Sequence, residues 1–201
     1  MGTVGTGFSM SLDGFIARKN DEMGPLFDWM SKGQQDYAVT TGYGDIDMKL
    51  ADSSVEMFEN AIATTGALLC GRRLFDITGG WGGRHPLNVP VIVLTHNPPQ
   101  EWVGKEGSPF TFVTEGFETA LAKAREIAGD KTIAIASTTV AQQCLNLGLM
   151  DEIHIDLVHV LIGEGKRLFD NLNISDTDLQ LVAAKNAPGV THMTFKVLKK
   201  Q

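Results

Sequence analysis

Two adjacent arginines at the end of an apolar segment are the residues of this chain best suited to contact a phosphate group. Residues 67–70 are all apolar, as in a strand that is buried on both faces, and Gly71-Arg72-Arg73 follows them directly. A glycine lets the backbone come close to a ligand, and an arginine guanidinium forms paired hydrogen bonds with phosphate oxygens. The alternative is a solvated or helix-capping arginine pair.

Two other strand ends carry groups that suit a phosphorylated ligand. In open α/β sheets, ligands bind beyond the carboxyl ends of the strands, where the first amides of the next helix are free. Three such junctions in one sheet predict a cradle for a dinucleotide, although the hydroxyls of the third junction also fit a helix N-cap. The second junction is Leu94-Thr95-His96, after a strand at 90–95, and the third is Ala136-Ser137-Thr138, after a strand at 132–136.

These junctions belong to a chain in which strands alternate with helices. Such alternation predicts an α/β fold with a mostly parallel central sheet that helices cover on both faces. The last two strands flank the turn dipeptide Pro188-Gly189 and predict an antiparallel hairpin at one edge of the sheet. The predicted strands are 3–9, 67–70, 90–95, 110–113, 132–136, 152–161, 179–187 and 190–198, and the predicted helices are 53–65, 117–128 and 137–147.

A polar stretch between the first strand and the first helix shows little periodicity. Residues 20–52 carry Gly24-Pro25 and three further glycines, so they are predicted to form a long loop, with Trp29 and Met30 as an apolar plug. The helix that follows begins with Ser53-Ser54-Val55-Glu56, which is the pattern of a capping box.

The composition is that of an ordinary globular domain, and it excludes several classes of partner. The 201 residues predict one domain, with 43% apolar residues, 20% charged residues and a net charge of −7. No basic run exceeds two residues, so no nucleic-acid interface is expected. No apolar run is long enough to cross a membrane, and the N-terminus lacks a signal-peptide pattern. A reducing cytoplasm is the expected location, with Cys70 and Cys144 as buried free thiols.

Five segments occur in an order that resembles the dihydrofolate-reductase-like superfamily. They are 10–17 (MSLDGFIA), 71–75 (GRRLF), 91–96 (VIVLTH), 148–153 (GLMDEI) and 160–169 (VLIGEGKRLF). More closely, nearly the whole chain is similar to stand-alone bacterial proteins related to the C-terminal reductase domain of the bifunctional riboflavin-biosynthesis deaminase-reductase. This resemblance implies a central mostly parallel sheet, NADPH as the hydride donor and a homodimer.

Three segments match parts of the family that lie near NADPH, and a fourth departs from the family. Where the family has a Gly-Gly pair at the cofactor diphosphate, this chain has Ala136-Ser137, whose side chain either crowds the cofactor or hydrogen-bonds it. A second departure is His159, which replaces a proline of the family. The matching segments are Gly71, Arg72 and Arg73 near the phosphates, Leu94, Thr95 and His96 beside the adenosine end, and Gly163, Glu164 and Gly165 in a glycine turn, with Ser137 and Thr138 as candidates at the departure.

The resemblance places the loop Ser11-Leu12-Asp13 beside the nicotinamide and the substrate. A positioned acid or a bound water must supply a proton, and Asp13 is the first candidate, with an Asp-Gly turn as the alternative reading. Glu56 and Glu59 lie on the helix that lines the substrate side in the superfamily, although Glu56 also fits the capping box. Trp81 either stacks on a flat heterocycle or packs in the core.

Three polar residues of the predicted strand 152–161 look at first like a metal site. His154 and Asp156 share one face of the strand, but His159 is offset by an odd number of residues, so no metal ion is expected. His192 lies on the polar face of the last strand and is predicted to be exposed to solvent.

The sequence therefore favours an NADPH-dependent reductase of a small heterocyclic substrate, either pteridine-like or like the pyrimidine of the riboflavin pathway. The alternative is a non-catalytic nucleotide- or ligand-binding dimer on the same scaffold. The Ala136-Ser137 pair keeps this alternative open, because a shared fold does not by itself establish an activity.

Overall fold

Most of the predicted strands and helices form, close to their predicted bounds. The structure, a computed structural model, describes residues 2–199. Its strands are β1 (Val4–Ser11), β2 (Phe15–Ala17), β3 (Gln35–Thr41), β4 (Gly44–Leu50), β5 (Thr65–Gly71), β6 (Val91–Leu94), β7 (Phe110–Val113), β8 (Thr132–Ile135), β9 (Glu152–Val158), β10 (Lys166–Arg167), β11 (Leu179–Ala187) and β12 (Val190–Val197). The α-helices are α1 (Asp52–Thr64), α2 (Arg72–Ile77), α3 (Phe117–Ala128) and α4 (Thr138–Asn146), and two 3₁₀ helices span Gly24–Ser31 and Gly79–Gly83.

Eight of these strands form one central sheet in the order β11-β12-β9-β1-β8-β5-β6-β7. The six strands β9, β1, β8, β5, β6 and β7 run parallel to one another, so their carboxyl ends lie at the same side of the sheet. The hairpin of β11 and β12 is added antiparallel beside β9 and forms one edge of the sheet. This confirms the predicted fold class, a mostly parallel sheet with a C-terminal antiparallel hairpin.

The main core lies between the sheet and helices α3 and α4. Helix α3 forms because apolar residues recur at helical spacing along one face, and it ends where Gly129 takes a φ of +61°. The strands beneath it are apolar on both faces, as expected for a sheet that is covered on both sides. The buried residues of helix α3 are Phe117, Ala120, Leu121, Ala124 and Ala128.

The prediction of a long loop over residues 20–52 is wrong. This stretch contains the 3₁₀ helix Gly24–Ser31 and the hairpin of β3 and β4, and its apolar side chains pack under α1. The hairpin was missed because its glycines indicate loops, whereas here they make the turn between two strands that bury only a few side chains. Trp29 is 2% exposed, as expected for an apolar plug, and Met30 packs against the same cluster.

Two glycine segments touch backbone to backbone where the tip of this hairpin meets the Gly79–Gly83 helix. The Gly42 amide donates a hydrogen bond to the Trp81 carbonyl at 2.8 Å. A Cβ on Gly42 would lie 2.0 Å from the carbonyl oxygen of Gly82, so a larger residue does not fit there. The contact fixes the hairpin against the loop that carries Trp81.

Helix α1 begins two residues earlier than the capping-box prediction required. Ala51 is the N-cap and provides no side-chain hydrogen bond, so the expected box of Ser53 and Glu56 does not form. The start of the helix packs against β12 instead, and this turns Ser54 inward. The Ser53 hydroxyl donates to the Asn186 carbonyl at 3.2 Å.

Cys70 and Cys144 are buried free thiols, as predicted. Burial raises the pKa of both thiols to about 12, so they are not reactive thiolates at neutral pH. Among residues 2–199, no helix has the length and apolar character needed to cross a bilayer.

Candidate functional site

The strand ends that the sequence singled out meet at the carboxyl side of the sheet. The Gly71 amide donates a hydrogen bond to the Ser137 hydroxyl at 2.8 Å, and the Ala136 amide donates to the Leu69 carbonyl at 3.0 Å. Ser137 therefore ties the end of β5 to the end of β8. Although it stands at the N-cap position of α4, its side chain makes no capping hydrogen bond.

Both arginines of the first junction are engaged within the chain. The Arg72 Nε donates to Asp76 at 2.7 Å, and its Nη1 donates to the Asn97 carbonyl, so Arg72 bridges the first and second junctions. Arg73 forms a paired hydrogen bond with Asp21, which also accepts from Lys166. The two guanidinium groups diverge and contact different loops.

The remaining polar groups of the second and third junctions differ in exposure. Thr95 is buried, and its hydroxyl oxygen accepts a hydrogen bond from the Asn97 amide at 3.2 Å. His96 is exposed, and Thr138 is half-buried. The carboxyl side of the sheet therefore carries hydroxyls and cations of the kind that bind phosphorylated nucleotides. We conclude that the donor set fits such a ligand.

Asp13 holds the loop after β1 against the turn after β9. Its carboxylate accepts hydrogen bonds from the Gly163 amide at 2.7 Å and from the Ile162 amide at 3.2 Å. The neighbouring Ser11 hydroxyl, followed by these two amides, lowers the pKa of Asp13 from 3.8 to about 2. The carboxyl group is thus ionised at neutral pH, and this does not suit the proton donor that the sequence suggested.

Ser11 and Leu12 point in different directions beside Asp13. The Ser11 hydroxyl is buried, where it donates to the Phe15 carbonyl and accepts from the Phe15 amide. Leu12 is exposed, and its amide donates to the Val160 carbonyl at 3.0 Å. Leu12 lines a depression of about 310 Å³ together with residues 157–161, which include His159. The depression is mostly apolar and opens where β1 and β9 end.

The glycine turn after β9 is tied to the strand β2 and the residues that follow it. Lys19 forms an ion pair with Glu164 at 2.5 Å, and Arg167 donates to the Asp13 carbonyl at 3.0 Å. Gly165 has a φ of +154°, and a Cβ there would lie 2.1 Å from the Ala17 carbonyl oxygen. Only glycine fits this close approach of two backbones.

The predicted substrate residues are not brought together. Glu56 forms an ion pair with Lys185 at 2.7 Å on β11, at one edge of the sheet. Trp81 packs against the cluster of β5, β6 and β7 near the other edge, and its ring meets His85 edge-on at 4.6 Å. Glu59 is exposed on α1.

His192 is buried, which overturns the prediction that it is exposed. Its Nδ1 lies 2.6 Å from Asp156 Oδ1 and its Nε2 lies 2.8 Å from Ser54 Oγ. Ser54 of α1 and Trp29 cover His192, whereas Lys196, farther along the same face of β12, is exposed. His154 contacts Thr194 at 3.1 Å, and His159 contacts Thr191 at 3.0 Å, so these two histidines have separate partners.

Sequence reasoning missed Asp21 and Lys166 as members of this site. Asp21 lies in a polar stretch with no motif around it, and Lys166 follows the glycine turn as one of several surface cations. Neither residue carries a local signal, because the pair is created only when the segment after β2 folds against α2 and β10.

Comparison with known proteins identifies relatives over nearly the whole chain. The sequence profile of the RibD C-terminal domain matches residues 3–193. No curated protein matches the chain in sequence.

Solved structures share the fold at low identity. A provisionally named riboflavin biosynthesis protein from Shewanella sp. PV-4 is 21% identical with a TM-score of 0.73, over 98% of this chain and 99% of the other. The diaminohydroxyphosphoribosylaminopyrimidine deaminase/5-amino-6-(5-phosphoribosylamino)uracil reductase of Thermotoga maritima is 14% identical with a TM-score of 0.65, over 98% of this chain and 57% of the other. A dihydrofolate reductase from Enterococcus faecalis, solved with NADP(H), is 16% identical with a TM-score of 0.59, over 98% and 97% of the two chains. The dihydrofolate-reductase-like fold is thereby shown.

Proposed function

Since the chain belongs to the RibD C-terminal domain family, we propose that it is a reductase that uses NADPH and acts on a small heterocyclic substrate. The substrate class is pteridine-like or like the pyrimidine of the riboflavin pathway, because the structural relatives include enzymes named for both. The observation that carries the proposal is that Arg72, Arg73, Thr95 and Ser137 all follow the carboxyl ends of neighbouring parallel strands, at one side of the sheet.

On this proposal, each part of the cofactor has a group of this chain to hold it. Arg72 and Arg73 contact the phosphates, and Leu94, Thr95 and His96 lie beside the adenosine end. Ser137, Thr138 and the turn of Gly163, Glu164 and Gly165 hold the region of the diphosphate. NADPH supplies the hydride when it is bound, while the protein orients the partners and excludes water.

On the substrate side, the loop of Ser11, Leu12 and Asp13 positions the reacting ring. The ionised Asp13 keeps this loop joined to residues 162–163, so it acts as a positioning residue. A bound water then supplies the proton, since the carboxyl of Asp13 has already lost its own at neutral pH. The mostly apolar depression beside Leu12 offers a surface for a flat ring.

A second candidate function is a non-catalytic nucleotide- or ligand-binding dimer. It is favoured by Ser137, which stands where the family has a glycine and whose hydroxyl is already bonded to Gly71. A side chain at this position takes space that the family leaves to the cofactor, and fold alone does not establish catalysis.

Titration of the purified protein with NADPH and NADH, followed by tryptophan fluorescence, tests the first proposal. Micromolar binding of NADPH with at least tenfold weaker NADH binding is expected, because arginines favour a 2′-phosphate. NADPH consumption with dihydrofolate and with the riboflavin-pathway pyrimidine then identifies the substrate class. Absence of binding by either dinucleotide would contradict the proposal.

The variant Ser137→Gly separates the two candidates. If the native serine is a working contact, the variant binds NADPH more weakly than the wild type. If the serine excludes the cofactor, the variant binds it much more tightly, which favours the non-catalytic protein. Thr139→Gly, at the exposed second residue of α4, is the control for a general effect on the helix.

A further inference from the structure

Asp21 is a carboxylate held between two cations from distant parts of the chain. Its Oδ2 accepts hydrogen bonds from Arg73 Nε at 2.8 Å and from Arg73 Nη2, and its Oδ1 accepts one from Lys166 Nζ. Arg73 lies in α2 and Lys166 in β10. The Asp21 side chain is 15% exposed, whereas that of Arg73 is 71% exposed. The carboxylate is thus the most enclosed member of the cluster.

The two cations form an arrangement that suits a phosphate better than a carboxylate. A guanidinium binds phosphate and carboxylate oxygens through the same paired hydrogen bonds, and a lysine adds a second point of charge. Arg73 and Lys166 carry two positive charges, of which Asp21 balances one. A phosphate group with two negative charges would balance both.

The turn that carries Asp21 is joined to distant parts of the fold through charged side chains. It is a turn after β2, in which the Asp21 amide donates to the Arg18 carbonyl at 3.1 Å and the Arg18 amide donates to the Glu22 carbonyl at 2.8 Å. Residues 18–20 are exposed, and residues 18–20 and 22 line a depression of about 220 Å³ beside Glu164. These contacts are made within the turn and with α2, β10 and Glu164, rather than with strands of the central sheet.

We propose that Arg73 and Lys166 form a phosphate-binding site, and that Asp21 is its internal occupant, which a phosphate group of the ligand displaces. Asp21 is thereby a specificity-determining residue, because a ligand gains from the two cations only if its charge exceeds that of the carboxylate it replaces. That the ligand is a nucleotide, and that Arg73 meets its phosphates, rests on the proposed function, whereas the role of Lys166 and the displacement of Asp21 go beyond it.

Titration with pyrophosphate tests the site without a nicotinamide. Asp21→Asn removes the competing charge and keeps the left-handed backbone, with its φ of +68°, which asparagine also adopts. We expect this variant to bind pyrophosphate at least tenfold more tightly than the wild type. Asp28→Asn is the matched control, since it makes the same change of net charge at an exposed aspartate of the next segment. Equal affinities of the two variants would overturn the proposal.

Hydrogen–deuterium exchange of the wild-type protein gives a second measurement that needs no variant. Displacement of Asp21 breaks the turn, so saturating pyrophosphate is expected to speed amide exchange in residues 18–22. Unchanged or slower exchange in that segment would mean that the carboxylate stays in place, and the proposal would fail.

The two dinucleotides distinguish the source of the phosphate. A gain of affinity in Asp21→Asn for NADPH alone identifies the 2′-phosphate as the displacing group, and an equal gain for NADPH and NADH identifies the diphosphate. A gain for pyrophosphate with no binding of either dinucleotide would retain the anion site and reject the proposed cofactor.

Discussion

A serine, a histidine and an aspartate form a continuous chain of hydrogen bonds in the interior, yet they do not form a nucleophilic site. His192 Nδ1 lies 2.6 Å from Asp156 Oδ1, and His192 Nε2 lies 2.8 Å from the Ser54 hydroxyl. Ser54 is 1% exposed, so a substrate has no access to its hydroxyl. Trp29 closes the group, with its ring edge-on to His192 at 5.1 Å and its Nε1 donating to Ser9.

The three residues instead join elements that are distant in sequence. Ser54 belongs to α1, His192 to β12 and Asp156 to β9, so one imidazole links a helix to two strands. A buried polar group that loses its partner costs more than an exposed one, because water cannot replace the partner.

Replacement of His192 by alanine is expected to lower the free energy of unfolding by about 3 kcal/mol. The change leaves Ser54 and Asp156 without their shared partner and opens a cavity beneath Trp29. Urea denaturation measures the loss. His154→Ala, on the neighbouring strand but partly exposed, is the control and should cost less than about 1 kcal/mol. Equal losses of unfolding free energy in the two variants would show that the buried hydrogen bonds of His192 stabilise the fold no more than the partly exposed contact of His154.

At the scale of elements, the sequence predicted the helices and strands whose apolar residues recur at a regular spacing, because each of them packs one face against the core. The bounds of α3 and of the strand at 110–113 agree with the prediction, because a helical or strand period runs through each of them and glycine or proline marks their ends. The C-terminal hairpin was predicted equally well, from the turn dipeptide Pro188-Gly189 and from the alternation of apolar and polar residues in the last strand.

The segments that escaped prediction are those whose conformation depends on contacts far away in sequence. The hairpin of β3 and β4 has only Val39, Thr41, Met48 and Leu50 buried, and its position is set by the backbone of Gly82. In the candidate site, the junctions were visible because they follow buried strands. The partners of Arg73 were not visible, since an aspartate in a polar stretch looks like any other surface residue.

Gly42→Ala is expected to detach this hairpin from the Trp81 loop. Its Cβ would meet the Gly82 carbonyl, and neither backbone can move without breaking the hydrogen bond between them, so we expect a loss of about 3 kcal/mol. Limited proteolysis at residues 42–44 and urea denaturation measure the effect. Gly44→Ala, in the same turn but with open space around its Cβ, separates the steric clash from the strain of a positive φ. A smaller loss for Gly42→Ala than for Gly44→Ala would refute this account.

At the scale of the whole molecule, the sheet ends at one side in a long strand with exposed apolar residues. Strand β11 is nine residues long and pairs only with β12 among the described strands, and its apolar residues Leu179, Leu181 and Val182 are exposed. Edge strands of this kind readily pair with a second chain unless charge or proline blocks them. We propose that this edge forms the interface of a homodimer.

Leu181→Lys is expected to convert that dimer into a monomer, because it places a charge in the centre of the paired edge. Sedimentation velocity of the wild type should then give twice the chain mass of 21.8 kDa, and the variant should give the single mass. Leu147→Lys, an equally exposed leucine at the end of α4, is the control and should leave the dimer intact. A monomeric wild type would exclude the interface.

The position of β1 in the middle of the sheet has a consequence for the order in which the molecule is made. Its two neighbours, β8 and β9, lie at residues 132–135 and 152–158, so the first strand leaves the ribosome long before either of them exists. At roughly 5–20 residues per second, the interval is roughly 6–30 seconds. During that time β1 has neither of its sheet neighbours, and the sheet can close only through contacts of high sequence separation, which fold slowly. We therefore expect β1 to stay accessible on the nascent chain until residues 132–158 have been made.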